Sequence, residues 1–128
     1  MQEIFTGVSW AGVFTGAIVA FLFGWLWYSD RMFGAKWREG SGIEGDGNGD
    51  MRYGPMVTIL IGLFLMSWFV GVTAVGSALL TVILATLAFT VLAYAGGMFA
   101  QRSAYARNVD AGFWILSLVI MIVAQAIF

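Results

Sequence analysis

Residues 55–99 read PMVTILIGLFLMSWFVGVTAVGSALLTVILATLAFTVLAYAGGMF and contain no charged side chain. An α-helix needs about 20 apolar residues to cross the hydrocarbon of a bilayer, and this run is more than twice that long. One continuous helix would therefore be too long for a membrane. We predict two spans, at about 55–73 and 77–99, which residues 74–76 join into a tight antiparallel hairpin.

Two further apolar runs, at about 8–28 and 111–128, flank this hairpin. None of the four runs contains Asp, Glu, Lys or Arg. The chain is 61% hydrophobic and 10% charged, whereas a soluble domain has about 25% charged residues. Because backbone groups in lipid must be paired within their own segment, each run is expected to be helical. The sequence predicts an all-α membrane protein with one domain, 1–128, that forms an antiparallel bundle of four transmembrane helices.

The basic residues predict the orientation of this bundle. The connection between the second and third spans has no charge, whereas the other two connections hold all six bases of the chain. Lys and Arg are in excess in loops that stay in the cytoplasm. We therefore expect both termini on the non-cytoplasmic side and these residues on the cytoplasmic side: Arg31, Lys36, Arg38, Arg52, Arg102 and Arg107.

The first connection, residues 29–54, begins with a segment that mixes rings and bases. We predict a short interfacial helix at about 30–39, with rings in the headgroup layer and bases near anionic lipid. Indole and phenol rings prefer the membrane interface. The rings at the end of the first span and in this segment are accordingly predicted to be interfacial anchors: Trp25, Trp27, Tyr28, Phe33 and Trp37.

Small residues recur at every fourth position of the first span, at Gly12, Gly16, Ala20 and Gly24. They form one smooth stripe along the helix, which we call the small-residue stripe. Such stripes allow two helices to approach closely in lipid. Two interpretations remain open: the stripe packs against another helix of the same chain, or it contacts a second copy or a partner protein.

The sequence offers little for catalysis or for metal binding. It has no cysteine and no histidine, so it lacks a thiol nucleophile, an imidazole base and the usual ligands for zinc, haem and iron–sulfur clusters. Asp30, Glu39 and Asp110 are expected to be loop carboxylates in a solvated interfacial environment. We predict that the protein is not an enzyme and has no catalytic, cofactor or metal site. The net charge of −1 gives no indication of nucleic-acid binding.

Two motif matches in the first connection are interpreted as solvated loop. Residues 40–45 fit the dinucleotide-binding fingerprint, but no strand precedes them, and the motif works only between a strand and a helix. Residues 46–50 resemble the start of a calcium-binding EF-hand loop, but the glycine and the glutamate that should follow are missing.

The stretch from Gly24 to Ser29 reads GWLWYS and is followed by FGAKW at residues 33–37. With RNVDAG at residues 107–112, it resembles the domain-of-unknown-function 1761 family of small bacterial membrane proteins. The resemblance implies four helices, a bacterial origin and therefore the bacterial inner membrane. The sequence differs from the family pattern at Asp30, where a proline is usual. The family has no assigned function, so the resemblance implies no chemistry.

Together these features favour a non-enzymatic integral membrane protein that acts by packing. It would be an accessory or stabilising subunit of a larger membrane complex, for example an energy-transducing one, or a homo-oligomer. The expected partners are the lipid bilayer and other membrane protein subunits or further copies of the chain. The alternative is a small-solute or lipid transporter that acts as an oligomer. Thr81, Thr86, Thr90 and Gln125 are scattered along the spans, whereas a solute path usually shows ionisable or clustered polar residues.

Overall fold

The computed structural model describes residues 5–29, 31–41 and 53–128, and side chains within residues 53–75 from residue 56 onward. These residues form five helices and no strand. The helices are α1 (Trp10–Trp27), α2 (Gly34–Gly40), α3 (Tyr53–Val75), α4 (Leu79–Phe99) and α5 (Ala104–Ile127). All except α2 contain a segment long and apolar enough to cross a membrane. The predicted fold class, an all-α membrane protein with four spans, is confirmed.

The centre of the bundle is built by α1, α3 and α5. Helix α1 packs against α3 and α5, which also contact each other, and α4 packs mainly against α5. The buried apolar side chains come from all four long helices: Ala20, Leu63, Val70, Val82, Phe113, Leu118 and Met121. Only 11% of the apolar segment of α4 is buried, compared with 28% for α1 and α5. Helix α4 is therefore the span that is least covered by the rest of the chain.

Both ends of the α4 segment are bounded by a turn with one residue in the left-handed backbone region. At the end of α4, Gln101 has a φ of 61°, and the N–H of Arg102 donates to the carbonyl of Gly97 at 2.9 Å. This is the Schellman arrangement, which pairs carbonyls that a helix end leaves free. Ser77, with a φ of 55°, takes the same position between α3 and α4. The chain therefore reverses within a few residues at both places.

Helix α5 begins at Ala104, whereas the sequence predicted that the fourth span begins at residue 111. The Ser103 hydroxyl accepts a hydrogen bond from the N–H of Ala106 at 3.0 Å and so caps the helix. Hydropathy moved the expected start too far along the chain because polar residues occupy the first two turns. The expectation that Arg107 and Asp110 lie in a loop is therefore wrong.

Helix α2 lies close to the position of the predicted interfacial helix, at Gly34–Gly40 rather than at about 30–39. Asp30, Arg52 and the segment that holds most of both motif matches, residues 42–50, lie outside the described residues. The start of α1 and the last turns of α5 lie at the same end of the bundle, where Gln125 of α5 donates a hydrogen bond to the carbonyl of Ser9. The described basic residues lie at the opposite end. The assignment of that end to the cytoplasm remains a prediction.

Candidate functional site

The carboxylate of Asp110 collects donors from three other parts of the chain. Its Oδ1 accepts hydrogen bonds from the Tyr28 hydroxyl at 2.5 Å and from the Trp37 indole N–H at 3.0 Å. Its Oδ2 forms an ion pair with Nη1 of Arg102 at 2.6 Å. The Asp110 side chain is only 22% exposed. We call these four residues the Asp110 cluster.

The Asp110 cluster joins four structural elements. Tyr28 is the C-cap residue of α1, Trp37 lies in α2, Arg102 follows α4, and Asp110 lies in the second turn of α5. Hydrogen bonds that involve a charged group are about twice as strong as neutral ones. The cluster therefore holds α2 and the end of α1 against the start of α5.

Two glycines allow α2 to approach this position. A Cβ atom on Gly34 would collide with the backbone carbonyl of Tyr28, and one on Gly40 would collide with the Ser103 hydroxyl. The Gly40 carbonyl also accepts a hydrogen bond from the N–H of Ser103 at 2.9 Å. Helix α2 is thus fixed to the end of α1 and the start of α5 by close contact of its glycines, as well as by Trp37.

Arg102 is held on several sides. Its Nη2 donates to the Ser41 hydroxyl at 2.8 Å, and its guanidinium lies 5.8 Å from the centre of the Trp37 ring. The Trp37 ring packs edge-on against Tyr28, with centroids 4.8 Å apart. Trp37 thus contacts both Arg102 and Tyr28, and all three side chains also bond the carboxylate of Asp110, which restricts their rotamers.

Beneath the cluster, aromatic rings fill the contact between α1 and α5. The Trp27 indole N–H donates to the carbonyl of Val109 at 3.0 Å, and its ring packs over Gly112. The Phe113 ring lies against Gly24 and makes an edge contact with Tyr28, with ring centroids 5.5 Å apart. Close packing and hydrogen bonds therefore reinforce each other at this end of the bundle.

The chemistry of the cluster favours a structural role. Burial raises the pKa of the Tyr28 phenol far above its usual range, and the hydrogen bond to Asp110 raises it further. Tyr28 therefore stays protonated and remains a donor. Both oxygens of Asp110 already have partners, so neither is poised to take a proton from a substrate. No group of three or more metal-binding side chains occurs in the part of the chain that the structure describes.

The structure places the small-residue stripe inside the bundle, where Gly12, Gly16, Ala20 and Gly24 are all buried. A Cβ atom on Gly16 would lie 2.8 Å from the Ser67 hydroxyl of α3 and 3.4 Å from the backbone of Met121 in α5. The stripe therefore contacts α3 and α5 of the same chain, as the first of the two interpretations holds. This close approach also lets the Ser67 hydroxyl donate to the carbonyl of Val13 at 2.7 Å.

The predicted interfacial anchors fall into two groups. Trp25 is 67% exposed and can lie among headgroups. The other four are partly buried, and Trp27, Tyr28 and Trp37 use their polar atoms for bonds within the protein. Phe33 packs against the Trp27 ring, with centroids 4.7 Å apart.

Among the described basic residues, only Arg102 belongs to the cluster. Arg31 and Lys36 are exposed, and the Lys36 ammonium lies 5.5 Å from the centre of the Tyr105 ring. Arg38 is partly buried on α2. Arg107 stacks over Tyr94 of α4, with its guanidinium carbon 4.7 Å from the ring centre.

Asp110 was not predicted as the centre of the site, and Gly34, Gly40 and Gly112 were not predicted as contact positions. A hydropathy profile assigns charged residues such as Asp110 to loops. The position of a glycine in the sequence does not show which distant residue it contacts. The signal was present in the three stretches quoted for the family resemblance, because GWLWYS holds Tyr28, FGAKW holds Trp37 and RNVDAG holds Asp110.

A family model described as "Protein of unknown function (DUF1761)" matches residues 11–125. The match includes nearly all of the four spans and the whole Asp110 cluster. No curated protein and no solved structure matches the chain.

Proposed function

Because the chain belongs to the DUF1761 family of proteins of unknown function, its role has to be inferred from its own residues. We propose that it is a non-enzymatic, multi-pass protein of the bacterial inner membrane that acts by packing against other membrane helices. In this role it is an accessory or stabilising subunit of a larger assembly, or a subunit of a homo-oligomer.

The exposure of α4 is the observation that carries this proposal. Leu84, Phe89 and Leu92 are 69%, 77% and 71% exposed, and only 11% of the apolar segment of this helix is buried. On α1, by contrast, the small-residue stripe is already covered by α3 and α5. If helices of another subunit bind this protein within the membrane, α4 offers the largest uncovered surface for them.

The bonding within the Asp110 cluster is the reason that we propose a non-enzymatic role. A catalytic carboxylate has to reach a substrate proton, whereas Asp110 is bonded to three side chains of its own chain. The cluster gives the bundle one defined arrangement at the end where the chain is most polar. A rigid bundle with one uncovered helix is suited to packing against the helices of another subunit and stabilising them.

The alternative, a small-solute or lipid transporter, has less support. The described interior between the spans is filled by apolar side chains such as Leu63, Val82 and Met121, each at most 1% exposed. A transport path would therefore have to run between copies of the chain. The packing role needs no such path.

Photo-crosslinking in intact membranes tests the packing role. A benzophenone amino acid replaces Leu92 on α4 in one sample and Leu22 on α1, which is 54% exposed, in the matched control. We expect an adduct of one defined mass from position 92 and none from position 22. Twice the mass of the chain would identify a homo-oligomer, and another mass would identify a subunit complex. Lipid adducts alone at position 92, or the same protein adduct from both positions, would contradict the proposal.

The inner-membrane orientation is tested separately. With the basic end in the cytoplasm, Phe128 lies on the other side of the membrane. A reporter enzyme that works only outside the cytoplasm should therefore be active when it is fused after Phe128. Activity of a cytoplasmic reporter at that position would reverse the proposed orientation.

A further inference from the structure

Between α4 and α5, beside the Asp110 cluster, lies a cavity of about 160 Å³. One water needs only about 10–15 Å³ of such space, so the cavity has room for a larger polar group. Its wall includes Ala93 and Tyr94 of α4, Arg102 after α4, and Arg107 and Asp110 of α5. Ala93 is exposed, which means that the cavity is not sealed within the bundle.

The charges on the wall of this cavity do not cancel. Arg102 and Arg107 contribute two positive charges, and Asp110 contributes one negative charge. The Asp110 carboxylate is already engaged by Arg102 through the 2.6 Å ion pair and by the two neutral donors of the cluster. The excess positive charge therefore belongs to Arg107, and it favours an anion over a cation as the occupant.

Arg107 is positioned but has no ion pair with any carboxylate in the described part of the chain. Its Nε donates to the carbonyl of Arg102 at 3.3 Å, and its guanidinium stacks over Tyr94. Its aliphatic part lies against Gly97, where a Cβ atom would come within 2.9 Å of Cγ. These contacts fix the guanidinium while leaving its two Nη groups available. A planar guanidinium with two free N–H groups suits the paired oxygens of a phosphate.

We propose that this cavity is a phosphate-binding site, in which Arg107, assisted by Arg102, binds the phosphate group of an anionic lipid or a free phosphate. The proposal goes beyond the packing role, since it assigns a ligand to the chain itself. Basic pockets between transmembrane helices on the cytoplasmic side are suited to anionic headgroups. The position between two membrane spans, next to the exposed apolar side chains of α4, places a lipid phosphate within reach.

Thermal melting of the purified full-length protein in detergent, with added lipid, tests the site. Phosphatidylglycerol should raise the melting temperature, and phosphatidylcholine should not. Arg107→Gln should lose most of the shift, with binding weakened by about 10- to 100-fold, since it removes charged hydrogen bonds. Lys36→Gln, which removes an exposed base at the same end, should keep the shift. A full shift in Arg107→Gln, or an equal shift with the anionic and the zwitterionic lipid, would overturn the proposed site for an anionic lipid.

A second variant probes the cavity without changing any charge. Ala93→Leu puts a larger side chain on the cavity wall and should abolish the shift. Ala88→Leu is the matched control, because Ala88 is also exposed on α4 but does not line the cavity. If Ala93→Leu responds to phosphatidylglycerol as fully as Ala88→Leu does, the cavity is not the binding site.

Inorganic phosphate distinguishes the two sources of the ligand. A shift with inorganic phosphate that Arg107→Gln and Ala93→Leu both lose would assign the site to a free phosphate. A shift with phosphatidylglycerol alone would assign it to a lipid. No shift with either probe in the unmodified protein would overturn the proposal. Melting of each variant without ligand shows whether it folds, so that a lost shift is not mistaken for a lost fold.

Discussion

At one end of the bundle a carboxylate receives two hydrogen bonds and an ion pair, and at the other end an amide donates one long hydrogen bond. Asp110 joins parts of the chain that are 82 and 73 residues apart, through bonds of 2.5 and 3.0 Å. At the opposite end, Gln125 donates to the carbonyl of Ser9 at 3.4 Å. Ring packing also contributes at that end, where Trp68 is about equally close to Phe5 (5.3 Å) and Trp10 (5.4 Å).

The difference shows that a small membrane protein can concentrate its directional bonds at one end. Apolar side chains are as well solvated by lipid as by each other, so apolar contact alone selects a helix arrangement weakly. Charged hydrogen bonds have a defined geometry and can select one arrangement. We therefore infer that the bonds at the basic end determine how the helices are arranged, and that this arrangement also determines the packing at the opposite end.

The largest expected effect comes from Asp110→Ala. This change leaves Tyr28, Trp37 and Arg102 without their shared acceptor. Removing one partner of a buried charge pair costs about 3–5 kcal/mol, and because Asp110 is partly exposed we expect a cost of about 3 kcal/mol. Reversible unfolding in mixed micelles measures this loss. Glu39→Ala, at an exposed carboxylate on α2, is the matched control and should be nearly neutral. Equal losses in the two variants would remove the proposed role of Asp110.

A smaller difference is expected between Gly24→Ala and Gly12→Ala, which test the same small-residue stripe at its two ends. The new Cβ on residue 24 would lie 2.8 Å from Cζ of Phe113, and the one on residue 12 would lie 2.8 Å from Nε2 of Gln125. The Phe113 ring is held against Tyr28, whereas the Gln125 amide is the end of a flexible side chain. We expect Gly24→Ala to cost about 2 kcal/mol through overpacking.

Gly12→Ala should cost less than about 1 kcal/mol, since alanine also favours the helix. The same unfolding measurement compares the two variants. Gly62→Ala provides the baseline, because a Cβ atom on Gly62 meets nothing within 4 Å. A larger loss at residue 12 than at residue 24 would reverse the comparison of the two ends.

The smallest effect is expected for Gln125→Leu, which removes the hydrogen bond to Ser9. Hydrogen bonds between membrane helices contribute about 0.6 kcal/mol on average, and the 3.4 Å length of this one points to no more than that. Val123→Leu, an apolar exchange at an exposed position of α5, is the control. A loss for Gln125→Leu as large as that of Asp110→Ala would show that both ends are equally fixed.

The sequence was sufficient to predict the spans, because length and hydropathy decide whether a helix can cross a bilayer. It was insufficient for the start of α5. A hydropathy pattern stops at the first charged side chain, whereas the helix continues outward through Asp110 and Arg107 to the cap at Ser103. The spacing of the small-residue stripe predicted close packing without identifying the partner, since any smooth helix face can accept several neighbours.

The candidate site was harder to predict for a related reason. Trp27, Tyr28 and Trp37 were predicted to anchor the chain at a membrane interface, and the structure shows that their polar atoms bond α5. An indole or phenol group has the same donor whether it bonds a lipid headgroup or another helix of the chain. Only the position of Asp110 and the carbonyl of Val109 decides between them, and both lie more than 70 residues away in the sequence.

This separation in sequence implies an order of assembly. Tyr28 and Trp37 leave the ribosome long before Asp110 does, and until α5 is made their donors can bond only water or lipid headgroups. The first three spans can enter the bilayer on hydropathy alone, but the basic end closes only when the last helix arrives. A chain that stops short of α5 would therefore expose unpaired indole and phenol groups at the membrane surface, where a quality-control protease could distinguish it from the finished protein.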